Sequence, residues 1–300
     1  MNQPVVHEVG MRDGLQMEKI LVPTEVKENW LRRLMGSGVD ILQVGSFVHP
    51  KRVPQMADSD ELFRLLKQNR KESSPVLSGL VLNEKGLERG LACGVELFCM
   101  GVSASETHSR KNTGMKVEEA VGRIVGMAKT AIQEGIPVQV SVQSAFGCGY
   151  EGKVPVKRIL KIVGSYLDNG LTNISLADTA GHADPRSVER LFRSIFDLGD
   201  AIRCSCHFHN TYGLGLANCI AALDCGVTTF ESSAGGLGGC PFTAVAGGNV
   251  CTEDLVHLFQ RIGLRSDIDL ECLIQTAESI AEFLGRELPG SVYRTGRIPD

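Results

Sequence analysis

The chain has 300 residues, 43% of them hydrophobic, with a formal net charge of −4. That length holds one large domain or two ordinary ones. The mild acidity gives no broad electrostatic reason to bind nucleic acid or an anionic membrane, and no apolar stretch is longer than a strand, so a soluble protein with a small-molecule partner is expected.

In chain order, "VVHEVG" (Val5 to Gly10) reads as a buried strand, followed by a helix from Thr24 to about Met35. The same β-then-α step recurs through strand 39–45 with helix 59–70, strand 76–82 with helix 84–92, and strand 95–101 with helix 116–134. It continues through strand 137–143 with helix 155–169, strand 172–177 with helix 184–198, strand 202–208 with helix 213–224, and strand 227–232 with helix 252–261. A last helix spans about 269–285. Eight such steps without a linker or low-complexity tract favour a single (β/α)8 TIM barrel with an additional C-terminal helix, residues 1–300, over a doubly wound sheet. Ten cysteines without a C-x-x-C pair, no apolar signal segment and a first strand close to the N-terminus fit a reducing, cytoplasmic setting.

A barrel of this kind does its chemistry where strands end. In "RCSCHFHN", alternation sends Arg203, Ser205, His207 and His209 to one side and Cys204, Cys206 and Phe208 to the other. Two imidazoles on one face suit a metal ion, and equally suit a hydrogen-bonded histidine pair. Strand 1 ends in "GMRDGLQ". There Asp13 offers an oxygen ligand and Arg12 a cation for a developing negative charge, with a surface ion pair as the plainer reading. Strand 6 ends in "SLADTAG", bringing Ser175 to the face and offering Asp178 either as a catalytic group or as a turn cap. Strand 5 ends in Gln143 and Ser144, which line the pocket. After strand 8, the glycine-rich "SSAGGLGGCPFTAVAGGN" carries Cys240, either a proton carrier on a lid or a filler, and Asn249, either a metal ligand through its carbonyl oxygen or a helix cap.

Together "RDGLQ", "SFVHPKRVPQM", "HFHNTYGLGLAN" and "GLGGCPFTAVAGGN" resemble the 3-hydroxy-3-methylglutaryl-CoA lyase family, a group of metal-dependent barrels that break or make bonds of the Claisen type. The resemblance implies that Asp13, His207, His209 and Asn249 hold a divalent cation, magnesium or manganese. It also implies that Arg12 contacts the acyl oxygen and that Cys240 exchanges a proton. The implied reaction is retro-Claisen cleavage of a 3-hydroxyacyl-CoA, here 3-hydroxy-3-methylglutaryl-CoA to acetyl-CoA and acetoacetate, by a homodimer. Gln16, Ser46 and Ser175 are candidate substrate contacts, and Lys51, Arg110 and Lys111 candidate partners of the CoA phosphates. The family pattern I-E-x-x-S-F becomes "ILQVGSF" here, so Gln43 stands in a catalytic position where a carboxylate is usual. An amide is no base, which leaves open a related 3-hydroxy acid or acyl-CoA as substrate, or a silent relative that binds metal and CoA esters.

Overall fold

The computed structural model describes residues 3–298 apart from 69, 72 and 240–247. Eight parallel strands close into a barrel in sequential order: β1 (Val5–Glu8), β2 (Ile41–Ser46), β3 (Val76–Leu80), β4 (Leu97–Ser103), β5 (Val138–Gln143), β6 (Asn173–Asp178), β7 (Arg203–Phe208) and β8 (Thr229–Ser232), with β8 paired back to β1. The helices between and after them are α1 (Thr24–Gly36), α2 (Ser59–Lys67), α3 (Glu84–Cys93), α4 (Glu106–Thr113), α5 (Val117–Gln133), α6 (Val156–Leu167), α7 (Pro185–Phe196), α8 (Gly215–Asp224), α9 (Thr252–Arg261), α10 (Leu270–Leu284) and α11 (Val292–Thr295). Among the described residues, no helix is long and apolar enough to cross a membrane.

Each strand splits its residues between two environments. The helix-facing set, including Val140, Val142, Ile174, Leu176, Phe208 and Phe230, is buried in one apolar layer under the helices. Burial of each such large side chain favours folding by about 1.5–3 kcal/mol. Phe208 meets Phe146 at 5.6 Å and Phe230 meets Phe259 edge-on at 5.2 Å. The axis-facing set is unusually polar. His7 Nε2 lies 2.8 Å from Ser78 Oγ, and Gln139 donates its Nε2–H to Ser205 Oγ at 2.8 Å, so these buried groups pair across the barrel, although His7 Nδ1 has no partner. The additional helix α10 docks on α1, where Trp30 packs edge-on against Phe283 at 5.5 Å and donates to Ser279 Oγ at 3.1 Å.

Three features depart from the sequence expectations. The first strand stops at Glu8, and Gly10–Gly14 forms a π-helical turn. Helix α4 lacks an apolar stripe, so periodicity gives no sign of it; Ser105 caps it by accepting the His108 N–H, and Gly114, at φ 78°, ends it. The four-residue α11 is held from outside, by Asp254 accepting the Ser291 and Val292 N–H groups.

Candidate active site

A cavity of about 380 Å³ opens at the C-terminal ends of the strands. Arg12, Asp13, Gln16, Gln43, Ser175, His207 and His209 line it, joined by Glu231, Gln139, Gln143 and His108. A larger groove of about 700 Å³ lies between α5 and α6 on the outside of the barrel and contains none of the residues singled out in the sequence.

The π-helical turn after β1 presents Arg12 and Asp13. Both their backbone N–H groups converge on the carbonyl of Val9, at 3.1 and 2.7 Å. The turn needs glycine at its start, because a Cβ on Gly10 would stand 2.6 Å from Glu8 Oε1 and 2.9 Å from Ser233 Oγ. Arg12 is then gripped on two sides: Nε donates to Gln43 Oε1, and a terminal nitrogen donates to Asp13 Oδ1. Such a fork fixes the orientation of the guanidinium as well as its charge.

Asp13, His207 and His209 bring one ligand atom each within 4.8 Å of one another, the one such group of His, Cys, Asp and Glu side chains among the described residues. His207 Nε2 is 3.2 Å from His209 Nε2 and 3.8 Å from Asp13 Oδ2. Asn249 lies beside His209, to which its backbone is paired, and its Nδ2 donates to Asp13 Oδ2 and to the Leu237 carbonyl, both at 2.9 Å. Its Oδ1 is buried without a hydrogen-bond partner. A carboxylate and two imidazoles brought together, with a buried and unpartnered amide oxygen on the adjoining Asn249, fit a divalent cation that accepts oxygen and nitrogen donors.

The electrostatics are consistent with that fit. Burial would push the Asp13 carboxyl up, but the Arg12 guanidinium, the neighbouring imidazoles and the bond from Asn249 hold it well below the ordinary carboxylate range. Burial and the proximity of His207 and Arg12 lower His209 to about 4, so it stays neutral and able to ligate. For His207, burial works downward, but the hydrogen bond to Glu231 and the charges of Asp13 and Glu231 outweigh it and raise the pKa.

Other expected residues lie elsewhere. Asp178 occupies the last position of β6, where alternation turns it away from the axis; its two carboxylate oxygens accept the N–H groups of His182 and Ala183 at 2.8 and 3.0 Å. These are the bonds of a turn cap, and Asp178 is not among the residues that line the cleft. Ser46 is buried at the end of β2 and does not line the cleft, its carbonyl accepting from Ser59 Oγ at 3.0 Å. Lys51, Arg110 and Lys111 are exposed on the segments after β2 and β4, outside the cleft lining; Arg110 stands 4.0 Å from Glu106, and Lys111 lies 4.3 Å over the Tyr150 ring. Cys240 lies outside the described residues. Glu231, on the floor of the cleft, was not anticipated. The available signal was its parity in "TTFES", which sets it on the axis side between Phe230 and Ser232.

Fold and site together define a class: a (β/α)8 barrel whose cleft places an Asp/His/His group able to hold a metal ion beside a doubly hydrogen-bonded guanidinium. The comparisons with known proteins narrow this. The chain belongs to the HMGL-like family, whose model matches residues 3–280. It is 35% identical over 284 residues to the hydroxymethylglutaryl-CoA lyase YngG of Bacillus subtilis, a match covering 95% of this chain and 94% of that protein. It is 34% identical over 305 residues to the (R)-citramalyl-CoA lyase of Chloroflexus aurantiacus, covering 99% and 96%. A solved HMG-CoA lyase from Acinetobacter baumannii, in complex with coenzyme A and 3-methylmalate, superposes with a TM-score of 0.92 at 36% identity, covering 99% of this chain and 96% of that one.

Proposed function

We propose that this protein is a divalent-cation-dependent carbon–carbon lyase that cleaves a 3-hydroxyacyl-CoA, with 3-hydroxy-3-methylglutaryl-CoA as the substrate and acetyl-CoA and acetoacetate as products. The observation that carries the reading is the convergence of Asp13, His207 and His209 beside the doubly held Arg12, with the unpartnered amide oxygen of Asn249 on the adjoining residue. Names of the relatives at 34–36% identity support the substrate class.

In the reaction the 3-hydroxyl gives its proton to solvent and becomes a carbonyl, the C2–C3 bond breaks, and its electron pair moves onto the thioester enolate. The enolate carbon then takes up a proton to give the acyl-CoA. A divalent cation held by Asp13, His207, His209 and Asn249 supplies, when bound, Lewis-acid polarisation of the substrate's oxygens. Arg12 stabilises the enolate oxygen more than the neutral thioester, and that difference lowers the barrier. Its fork to Gln43 and Asp13 means that no reorientation is needed as the charge develops. Gln16 and Ser175 line the same cavity and are available to orient the acyl chain. Cys240 is the proposed proton carrier to the enolate carbon.

The reading carries with it magnesium or manganese as the ion, one catalytic unit over residues 1–300, a cytoplasmic location and a homodimer. The direct test is a coupled assay with magnesium against a panel of 3-hydroxyacyl-CoA thioesters that includes 3-hydroxy-3-methylglutaryl-CoA and (R)-citramalyl-CoA. Turnover of the first is expected. A preference for the second would favour a related hydroxyacyl group, the alternative that Gln43 and the similarity to the citramalyl-CoA enzyme support. Binding without turnover of any member would indicate a silent relative.

A further inference from the structure

On the floor of the cleft, side chains from three adjacent strands form one hydrogen-bonded row. Glu231 on β8 stands in register with His207 on β7. Its Oε2 lies 3.0 Å from His207 Nδ1, and its Oε1 accepts the Ser175 hydroxyl, from β6, at 2.8 Å. Both carboxylate oxygens are therefore held, which fixes the plane of the group. The row is nearly dry: Ser175 is 1% exposed and Glu231 7%.

An ionised carboxylate has no proton to give, so the hydrogen in the Glu231–His207 bond belongs to Nδ1. In the neutral ring the lone pair of His207 is then on Nε2, the atom that faces Asp13 and His209. His209 lacks this arrangement. Its Nδ1 is buried with no hydrogen-bond partner, and it is placed by the backbone pairing with Asn249 instead. One imidazole of the pair is thus pinned by a side chain and the other is not.

We propose that Glu231, braced by Ser175, is a positioning residue that locks His207 as its Nδ1–H tautomer and aims Nε2 at the cation site. The proposal rests on the metal-centre reading above. Carboxylate partners of this kind change metal affinity by about 10- to 100-fold.

The test has one arm that needs no metal. Nitrogen-15 NMR of the histidine side chains in the metal-free native protein, at a pH high enough that His207 is neutral and with His207 assigned by its loss in His207→Gln, should report the Nδ1–H tautomer; an Nε2–H tautomer would overturn the proposal. In the second arm, manganese binding is measured calorimetrically. Glu231→Ala should weaken it by about 10- to 100-fold, and Glu231→Gln, which keeps an acceptor oxygen, should bind more tightly than the alanine variant. Native affinity in Glu231→Ala would mean that the carboxylate only fills the barrel. If Glu231→Ala does not fold, the native tautomer and the glutamine variant decide. Should the native protein bind no manganese while His207 shows the Nδ1–H tautomer, the metal-centre reading fails and the Glu231–His207 lock stands by itself.

Discussion

Arg12 donates its Nε–H to the side-chain oxygen of Gln43, so the guanidinium is held on that side by a neutral group, while Asp13 holds the other side. An amide at this point orients the arginine without neutralising it and cannot accept a proton from a substrate hydroxyl. Gln43→Glu restores both a negative charge near the cation ligands and a base. It should raise manganese affinity and increase 3-hydroxy-3-methylglutaryl-CoA cleavage by on the order of 10²-fold, a usual contribution of general base catalysis. Calorimetry and the coupled assay read the two effects separately. A fall in turnover with tighter metal binding would mean that the amide is matched to a different acyl group.

The same fork makes Arg12 intolerant of a conservative change. Lysine presents a single charged point and cannot bond Gln43 and Asp13 at once in the guanidinium's geometry. Arg12→Lys should lower kcat by about 10²- to 10³-fold, the scale of losing one preorganised donor at a developing oxyanion. Because a lysine keeps the positive charge beside Asp13, the melting temperature should move little. Steady-state kinetics alongside a thermal melt make the comparison; a change in KM alone would show that Arg12 binds ground state and transition state equally.

Much of this architecture is legible in the sequence, and the reasons are local. Each β/α step announces itself because the strands are short apolar runs and the helices carry a stripe of apolar residues, whereas α4, almost wholly polar, is made by its Ser105 cap and Gly114 stop and has no stripe to read. His207 and His209 were legible because strand parity is a property of one segment. Asp178 obeys the same parity, which turns its carboxylate toward the N–H groups of the β6–α7 turn. Glu231 needs more than parity: its meaning appears only when β7 and β8 lie side by side and put it opposite His207, a relation between two strands that neither segment carries alone. The cationic residues Lys51, Arg110 and Lys111 could be placed on the right face of the barrel but not in the cleft, because surface loops have no periodicity to fix where a long side chain rests.

Asn249 offers a test of the cation site that does not depend on turnover. Its Nδ2 tethers Asp13 and the Leu237 carbonyl while its Oδ1 waits unpartnered. Asn249→Ala removes an implied ligand and the tether of another together. Manganese binding should weaken by at least about tenfold. In the native protein, manganese at 100 times its Kd should stabilise the fold by about 2.7 kcal/mol, visible as a rise in melting temperature that a chelator reverses. At the same manganese concentration the variant should show a smaller rise. An equal rise in both would remove Asn249 from the ligand set.

Glu253 makes the stability of the barrel depend on pH in a direction opposite to that of a salt-bridged acid. It sits in the first turn of α9, fully buried; Oε2 accepts the Gly235 N–H at 3.0 Å and Oε1 has no partner. Burial, with the nearby charges of Asp254 and Glu8 acting the same way, pushes its carboxyl from 4.5 up to about 8. The folded protein therefore keeps a proton that the unfolded chain gives up near pH 4.5. Its contribution to stability is complete below that pH and is lost as pH rises through about 8. Glu8, raised by burial to about 7, adds a loss of the same sign. The buried His7 and His209, both lowered to about 4, act in the opposite direction up to pH 6.5, so melting temperature should fall between about pH 6.5 and pH 9, with a stability loss on the order of a few kcal/mol. Glu253→Gln keeps the shape and cannot ionise, so its melting curve against pH should be flatter than the native one, with the remaining slope due to Glu8 and the other raised groups, Asp178 and His207. Parallel curves would mean that Glu253 is already ionised at pH 5, and that Gly235 alone is enough to hold a bare carboxylate inside the barrel wall.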